Sequence, residues 1–332
     1  MQYARLGRTG LRVSRICLGT MVFGTQTEEA AARAILDRAV AGGVTFLDTA
    51  DIYPLGSRGD LVGRTEEILG RWLADRGGRE GLVIATKSRG RDDDAGGDQG
   101  SSRKHIVRAV EGCLRRLGTD YLDLYQLRGP DPHTPIDETL RALEDVVRAG
   151  KVRYVGVSGF LAYEVARAVG KAEALQLPRV DCVQTRYNLV FREGERELLP
   201  YCAEEAIGVI ANNPLAGGLL TGKHPPNGEA LPGSRFQLPA IGEHYSRRYF
   251  AAAERETVED LRPLAAEAGL PLAGLAVAWL LARPALTSAI VGASRPEQLD
   301  ETLGAADATL DAGLLDRLDA LTAPYRRGDA LR

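Results

Sequence analysis

Apolar positions along this chain change their period in a regular rhythm. Short continuous runs rich in Val, Ile and Leu stand at 16–19, 44–48, 82–86, 121–127, 152–157, 180–185, 207–211 and 287–291. Runs of that kind, bounded by polar segments, are the mark of strands buried on both faces. Between them, apolar residues recur at helical spacing over 28–42, 64–75, 102–117, 136–149, 161–175, 195–206, 254–268 and 296–305. Strand and helix thus alternate eight times. This predicts the α/β class and a single closed (β/α)8 barrel of the TIM type over residues 1–332. The opening 15 residues, with Gly7 and Gly10, predict an N-terminal hairpin that closes the barrel floor, and 311–322 an extra C-terminal helix. At 134–137, Thr134, Pro135 and Asp137 offer an N-cap, a proline at the first helical position and an acid in the first turn. Residues 88–101 and 223–250 read as long loops. The first holds Asp92, Asp93 and Asp94. No ordered ligand spacing follows them, so a solvated loop is the expectation rather than a metal site.

Composition narrows the function classes. The chain has 332 residues, 44% hydrophobic and 26% charged, with a formal net charge of −3. That balance gives no electrostatic case for nucleic acid or an anionic membrane. There are only five lysines against 37 arginines. The four cysteines, Cys17, Cys113, Cys182 and Cys202, are far apart, which indicates neither a zinc site nor a disulfide framework and points to a reducing cytoplasm. The first residues lack an apolar signal core, and the longest apolar run, 270–282, is too short to span a bilayer.

Polar residues collect at the strand C-terminal ends, the face where such a barrel builds its active site. Asp48 ends the second strand and Tyr53 follows it; Lys87 ends the third, Arg128 the fourth, Ser158 the fifth and Gln184 the sixth. Taken singly, Asp48 could cap a turn and Tyr53 could wall a cleft. Together they have a chemical logic. A phenol with a pKa near ~10 transfers protons poorly at neutral pH. An ammonium beside it favours phenolate, and a carboxylate holds the ammonium in place.

The segments "FLDTADIY", "ATK", "DYLDLYQL", "GKVRYVGVS", "NPLAGGLLTGK" and "IVGASRPEQLDE", in that order, resemble the aldo-keto reductase family over nearly the whole chain. The resemblance implies a (β/α)8 barrel that binds NADPH or NADP+ across its mouth, and no GxGxxG follows a strand to suggest a separate dinucleotide domain. It also implies hydride transfer to a carbonyl of a small-molecule substrate, with protons handled by a Tyr-Lys-Asp-His set. Asp48, Tyr53 and Lys87 match three members of that set; the histidine position holds Arg128. Gly19, Thr20 and Met21 match a first cofactor loop, to which Asp48 also belongs. Ser158, Gly159 and Gln184 match positions that hold the carboxamide, Gly159 standing where Asn is usual. Asn212 occupies the position of the aromatic that stacks on the nicotinamide, ahead of Pro214. Leu215, Gly217, Leu219, Gly222 and Lys223 match the pyrophosphate loop. Gly292, Ser294, Arg295, Gln298, Glu301 and Thr302 match the adenosine-phosphate pocket, although residues 294–297 also read as a capping box. Phe23, Tyr53 and Arg128 are expected to wall the substrate pocket.

Arginine keeps its proton at any relevant pH, so Arg128 is no general acid. It can stabilise an oxyanion, clamp an anionic substrate group, or turn away to pair with Asp131 or the loop aspartates. His133, in the proline-rich loop beyond, is the nearest imidazole in sequence. Three functions follow from the resemblance. The chain is a carbonyl reductase, with natural-product or sugar tailoring as a setting; or it performs other hydride chemistry, such as C=C reduction or a redox-neutral elimination or epimerisation; or it is a cofactor-binding regulatory subunit, as the family's potassium-channel β subunits are.

Overall fold

Each of the eight apolar runs forms a strand, and the eight close into one parallel barrel. The structure is a computed structural model and describes residues 1–88, 100–239 and 241–326. The strands are β3 (Ile16–Gly19), β4 (Phe46–Asp48), β5 (Val83–Ser88), β6 (Leu122–Arg128), β7 (Val152–Ser158), β8 (Cys182–Arg186), β9 (Gly208–Asn212) and β10 (Leu286–Gly292). They pair in sequence order, and β10 closes on β3 through Ala289–Ile16 to Gly292–Gly19. The closed ring leaves no barrel strand edge unpaired.

The expected hairpin is β1 (Tyr3–Arg5) paired antiparallel with β2 (Arg12–Ser14). Leu6 and Val13 from it join Cys17, Phe46, Leu124 and Ile210 in an apolar plug at the N-terminal end of the barrel. Gly7 sits at the contact with φ +56°, and a Cβ there would lie 2.5 Å from Ala206 O and Gly208 N. Any side chain would push the hairpin off the floor.

The helices around the barrel are α1 (Glu29–Ala41), α2 (Arg64–Arg76), α3 (Arg103–Leu117), α4 (Ile136–Arg148), α5 (Ala162–Ala174) and α6 (Leu198–Glu204). They are followed by α7 (Gly242–Tyr249), α8 (Ala252–Glu267), α9 (Leu272–Leu281), α10 (Gln298–Gly304) and α11 (Ala312–Leu321). Their burial follows the apolar stripe: α4 buries Thr139, Leu140, Leu143 and Val146 and shows its charges to solvent. α11 is the extra C-terminal helix the sequence predicts.

Three local expectations are corrected. α4 begins at Ile136 with Pro135 at the cap, because the Thr134 side chain bonds Asp131 instead of the helix end. α10 begins at Gln298, not within 294–297; the reciprocal bond comes from Gln298 Oε1, which accepts from Ser294 N at 2.8 Å. Residues 223–250 are not one loop, since α7 buries Tyr245 and Tyr249 one turn apart. The apolar run at 270–282 is α9, buried on nearly every residue because β10 lies on one side and α8 and α10 on the other. Among the described residues no single helix is long and apolar enough to cross a membrane. The aspartates at 92–94 lie outside the described residues.

Candidate active site

Asp48, the last residue of β4, is buried, and four groups converge on it. Lys87 Nζ donates to Asp48 Oδ2 at 2.6 Å and to the Thr49 carbonyl at 2.9 Å. Gln184 Nε2 donates to Asp48 Oδ1 at 2.8 Å, and Gln126 Nε2 approaches the same oxygen at 3.4 Å. Thr20 anchors the Asp48 backbone from β3's end, through both its N–H at 3.1 Å and its hydroxyl at 3.0 Å. A buried ion pair is stable when further hydrogen bonds satisfy its lone pairs and protons, and here both carboxylate oxygens and two of the three ammonium protons have partners. Gln126 was not anticipated, although a lone amide in the apolar run of β6 was the available signal.

Tyr53 stands in the turn after β4, with a cis peptide bond to Pro54. Its carbonyl accepts from Gly63 N at 3.0 Å, which ties the turn to the start of α2. Lys87 Nζ lies 5.1 Å from the Tyr53 ring centroid. Asp48, Lys87 and Tyr53 therefore stand together, as their order on adjacent strands implied. The electrostatic balance differs from the expectation. Burial pushes the Tyr53 phenol up, Lys87 and Arg128 draw it back, and the net remains above the ordinary value. Burial would lower Lys87, but Asp48 and Tyr53 outweigh it, so its pKa is held up and the ammonium is kept. Tyr53 thus keeps its proton at neutral pH and is a phenol rather than a preformed phenolate.

Arg128, the last residue of β6, is half-buried and makes no hydrogen bond or ion pair among the described residues. It acts electrostatically on Tyr53, Lys87 and Asp51. It does not pair with Asp131, whose carboxylate accepts from Ser101 N at 2.7 Å and His133 N at 2.9 Å. His133 is exposed on the rim.

Asp51 is a titratable group that sequence reasoning passed over. Its backbone N–H donates to the Lys87 carbonyl at 3.0 Å. Its Oδ1 is buried without a hydrogen-bond partner among the described residues. Burial and then Glu66 raise its pKa to about 7 against the pull of Arg116, Arg128 and the Ile52 N–H. Glu66 is fully buried, accepting from Thr86 Oγ1 at 2.6 Å and Arg116 Nε at 2.8 Å.

The remaining positions surround this centre. Ser158 ends β7 in register with Arg128 and Gln184, and Gly159 follows with φ +73°. Asn212 ends β9, where its side chain accepts from Asn213 Nδ2 at 3.2 Å. Pro214 and Leu215 lead into a turn at Ala216–Thr221, with Leu219 buried and Gly217 and Gly218 at φ +71° and +103°. Lys223 Nζ lies 3.9 Å from where a Gly218 Cβ would stand. Burial, Arg235 and Arg295 all lower the Lys223 pKa, so three cations from distant segments meet beside that turn. Arg235 was not anticipated. Arg262 donates to the Gly222 carbonyl at 2.6 Å. Met21 lies beside Tyr245, whose hydroxyl is 3.9 Å from its sulfur. Gly292 ends β10 beside Gly19, and Arg295, Gln298 and Glu301 are exposed. Thr302 is buried and spends its hydroxyl on the Leu299 carbonyl at 3.0 Å. Phe23 is corrected: it is fully buried in the core, with no surface at the mouth, and its carbonyl accepts from Thr65 Oγ1 at 2.7 Å.

Comparison with known proteins identifies the family. Residues 15–323 match the model of the aldo/keto reductase family. The chain is 40% identical over 324 residues to an uncharacterized oxidoreductase, YrpG, of Bacillus subtilis (strain 168), covering 96% of this chain and 95% of that protein. It is 36% identical over 348 residues to protein tas of Escherichia coli (strain K12), covering 98% and 99%. It is 38% identical over 322 residues to a probable voltage-gated potassium channel subunit beta of Arabidopsis thaliana, covering 92% of each.

Proposed function

The chain belongs to the aldo/keto reductase family, and from that premise we propose that it is an NADPH-dependent reductase of a small-molecule carbonyl, with Tyr53 as its proton donor. The observation that carries this reading is the buried chain Gln184–Asp48–Lys87 set against the Tyr53 ring at the C-terminal mouth of the barrel. A group held that firmly keeps its orientation while a proton moves, which is what general acid catalysis asks of it.

The residues fit a dinucleotide phosphate. Gly217 and Gly218 hold positive φ and leave a turn free of side chains, and Lys223, Arg235 and Arg295 gather positive charge beside it. Such a cradle suits phosphate oxygens. Ser158, Gly159, Gln184 and Asn212 would hold the nicotinamide end, Gly19, Thr20 and Met21 the neighbouring wall, and Ser294, Arg295 and Gln298 the adenosine phosphate. When bound, NADPH supplies the hydride. The chain's own part is to orient the carbonyl, stabilise the negative oxygen with the fixed charge of Arg128, and give that oxygen the Tyr53 proton. Lys87 favours the phenolate that remains.

A second reading rests on Arg128. A permanently charged group in the place of a histidine removes one proton donor, which suits C=C reduction or a redox-neutral elimination as well as carbonyl reduction. The similarity to channel β subunits supports a regulatory reading less well, because Asp48, Tyr53 and Lys87 are all present and stand together. The test is consumption of NADPH with a panel of aldehydes, ketones and enones. Turnover of a carbonyl that drops on Tyr53→Phe supports the reading; turnover confined to enones favours the second; no turnover on any member overturns both.

A further inference from the structure

Gln126 and Gln184 point their side chains to the same carboxylate from β6 and β8. Side chains alternate across a strand, so the residue two further on projects from the same face, one layer nearer the mouth. On β6 that residue is Arg128 and on β8 it is Arg186. Each is the last residue of its strand, and β7 alone separates the two strands. With neighbouring strands about 4.8 Å apart, the two backbones stand roughly 10 Å apart across the rim.

Arg186 has no role in the mechanism above, yet it is shaped for one. Its guanidinium lies 3.3 Å from the Phe191 ring centroid and 5.8 Å from that of Tyr249, so two rings fix its plane. It is half-buried, and no carboxylate among the described residues pairs with it. Burial lowers its pKa, Tyr249 opposes this, Arg248 adds to it, and Glu193 acts more weakly than each. His244, on the same face of α7 as Arg248, is lowered by burial, Arg248, Arg186 and Arg247. A guanidinium partly removed from water, stacked and left without a counter-ion is an anion site waiting for its ligand. Asp51, on which Arg128 acts electrostatically, does little to cancel the charge, because a carboxyl with a pKa of about 7 is only partly ionised at neutral pH.

We propose that Arg186 is a specificity-determining residue that binds an anionic group, carboxylate or phosphate, of a carbonyl substrate whose reacting end lies at Tyr53 and Arg128. This rests on the reductase reading above and extends it to a substrate class. The anionic group stands a few bonds from the carbonyl, two strand intervals across the rim. The planar fork takes two anionic oxygens at once, and Phe191 and Tyr249 hold the fork in place, so little side-chain entropy is lost on binding.

Three aldehydes of one shape test it: 4-formylbenzoate, 4-formylphenyl phosphate and the neutral 4-formylbenzamide. Their kcat/KM is measured with NADPH for the wild type, Arg186→Lys and Arg186→Met, the last keeping the stem that packs on Phe191. The wild type is expected to prefer an anionic aldehyde over the neutral one by roughly 10- to 100-fold, mainly through KM, and less so at high salt. Arg186→Met removes most of that preference, and Arg186→Lys restores part of it. Preference for one anion over the other identifies the group. A second arm needs no turnover: calorimetric titration of terephthalate, an unreactive dianion, into the protein saturated with NADP+. Binding that weakens at least ~10-fold in Arg186→Met supports the site even if no aldehyde is reduced, in which case only the reductase reading fails. Equal kcat/KM for charged and neutral aldehydes in the wild type overturns the inference and leaves the reductase reading standing. With no aldehyde reduced, terephthalate that binds the wild type and Arg186→Met alike, or neither, overturns it too.

Discussion

Replacing Asp51 by Asn should stabilise the protein at alkaline pH and make no difference near pH 4. The carboxyl is driven from its usual 3.8 to about 7 by burial and by Glu66, and its Oδ1 has no hydrogen-bond partner among the described residues. Stability rises with pH wherever the unfolded chain binds more protons, and here the order is reversed. Below about pH 4 both states hold the proton, and the carboxyl costs nothing. From about pH 4 to 7 the folded protein keeps a proton that the unfolded chain has released, so stability falls as pH rises. Above about pH 7 both are ionised and the full cost persists. A shift of roughly three units corresponds to about 4 kcal/mol. Asn keeps the shape and removes the charge. Urea denaturation of wild type and Asp51→Asn between pH 4.5 and 8.5 reads the difference. Asp181, whose pKa is raised to about 6, adds a slope of the same sign over part of this range. That slope is common to both proteins and cancels in the comparison. The variant should gain on the order of 2–4 kcal/mol at pH 8, and the gain should shrink toward zero as pH falls to about 4. A gain independent of pH, or a variant less stable than wild type at pH 8, would refute the assignment of a buried, charge-intolerant carboxyl at this position.

Four further outcomes are expected. Tyr53→Phe should lower kcat by at least ~10²-fold while NADPH affinity, followed by fluorescence titration, stays near wild type. Lys87→Met should cost similar activity and also ~3–5 kcal/mol in urea denaturation, because Asp48 would be left buried without its cation; unchanged stability would mean the pair is not buried as described. Arg295→Ala should erase most of a roughly 10- to 100-fold preference for NADPH over NADH, and equal affinities in the wild type would remove the basis for that preference. Arg128→Ala should reduce turnover ~10²–10³-fold if the guanidinium serves the oxyanion, and wild-type kcat and KM in that variant would make the arginine a bystander.

The strands were legible because burial on both faces leaves an unbroken apolar run, a signal that depends on no partner. The same logic hid α9. Its residues Leu272–Leu280 are covered on every side, so no helical period shows, and the run is as continuous as a strand's. α7 was hidden for another reason. Its two core residues, Tyr245 and Tyr249, are flanked by arginines and follow a Pro- and Gly-rich stretch, so composition outweighed period. At the site, Asp48, Lys87 and Tyr53 were legible as polar residues at strand ends. Gln126 was not singled out, because an amide inside a strand carries no sign of which carboxylate it meets. Arg186 was missed because the strand boundary was drawn one residue short, which left the arginine to a loop. Phe23 was misplaced because order along the chain says that a residue is near the mouth, not whether its ring turns toward it.

The direction of the Tyr53 shift is the part that sequence could not supply, and it decides how Arg128 works. Residue types alone suggest two cations that turn the phenol into a base. Burial outweighs them both, and the phenol keeps its proton. In that setting the cations do not deplete the acid; they bring a phenol that burial has made too weak back toward a usable strength. In the proposed reaction Arg128 would act at two points of one step: it would favour the negative oxygen that forms on the substrate, and the phenolate that forms when Tyr53 gives up its proton. A histidine would do the first while also carrying a proton of its own. An arginine does both as a fixed charge and leaves Tyr53 as the sole donor of the proton. Its guanidinium is free for this role because Asp131 is occupied by Ser101 and His133, and because the Asp51 carboxyl beside it is only partly charged at neutral pH. Asp51 acts on Arg128 only through space, and less strongly than on Arg116, so its charge is shared with a second arginine rather than spent on this one.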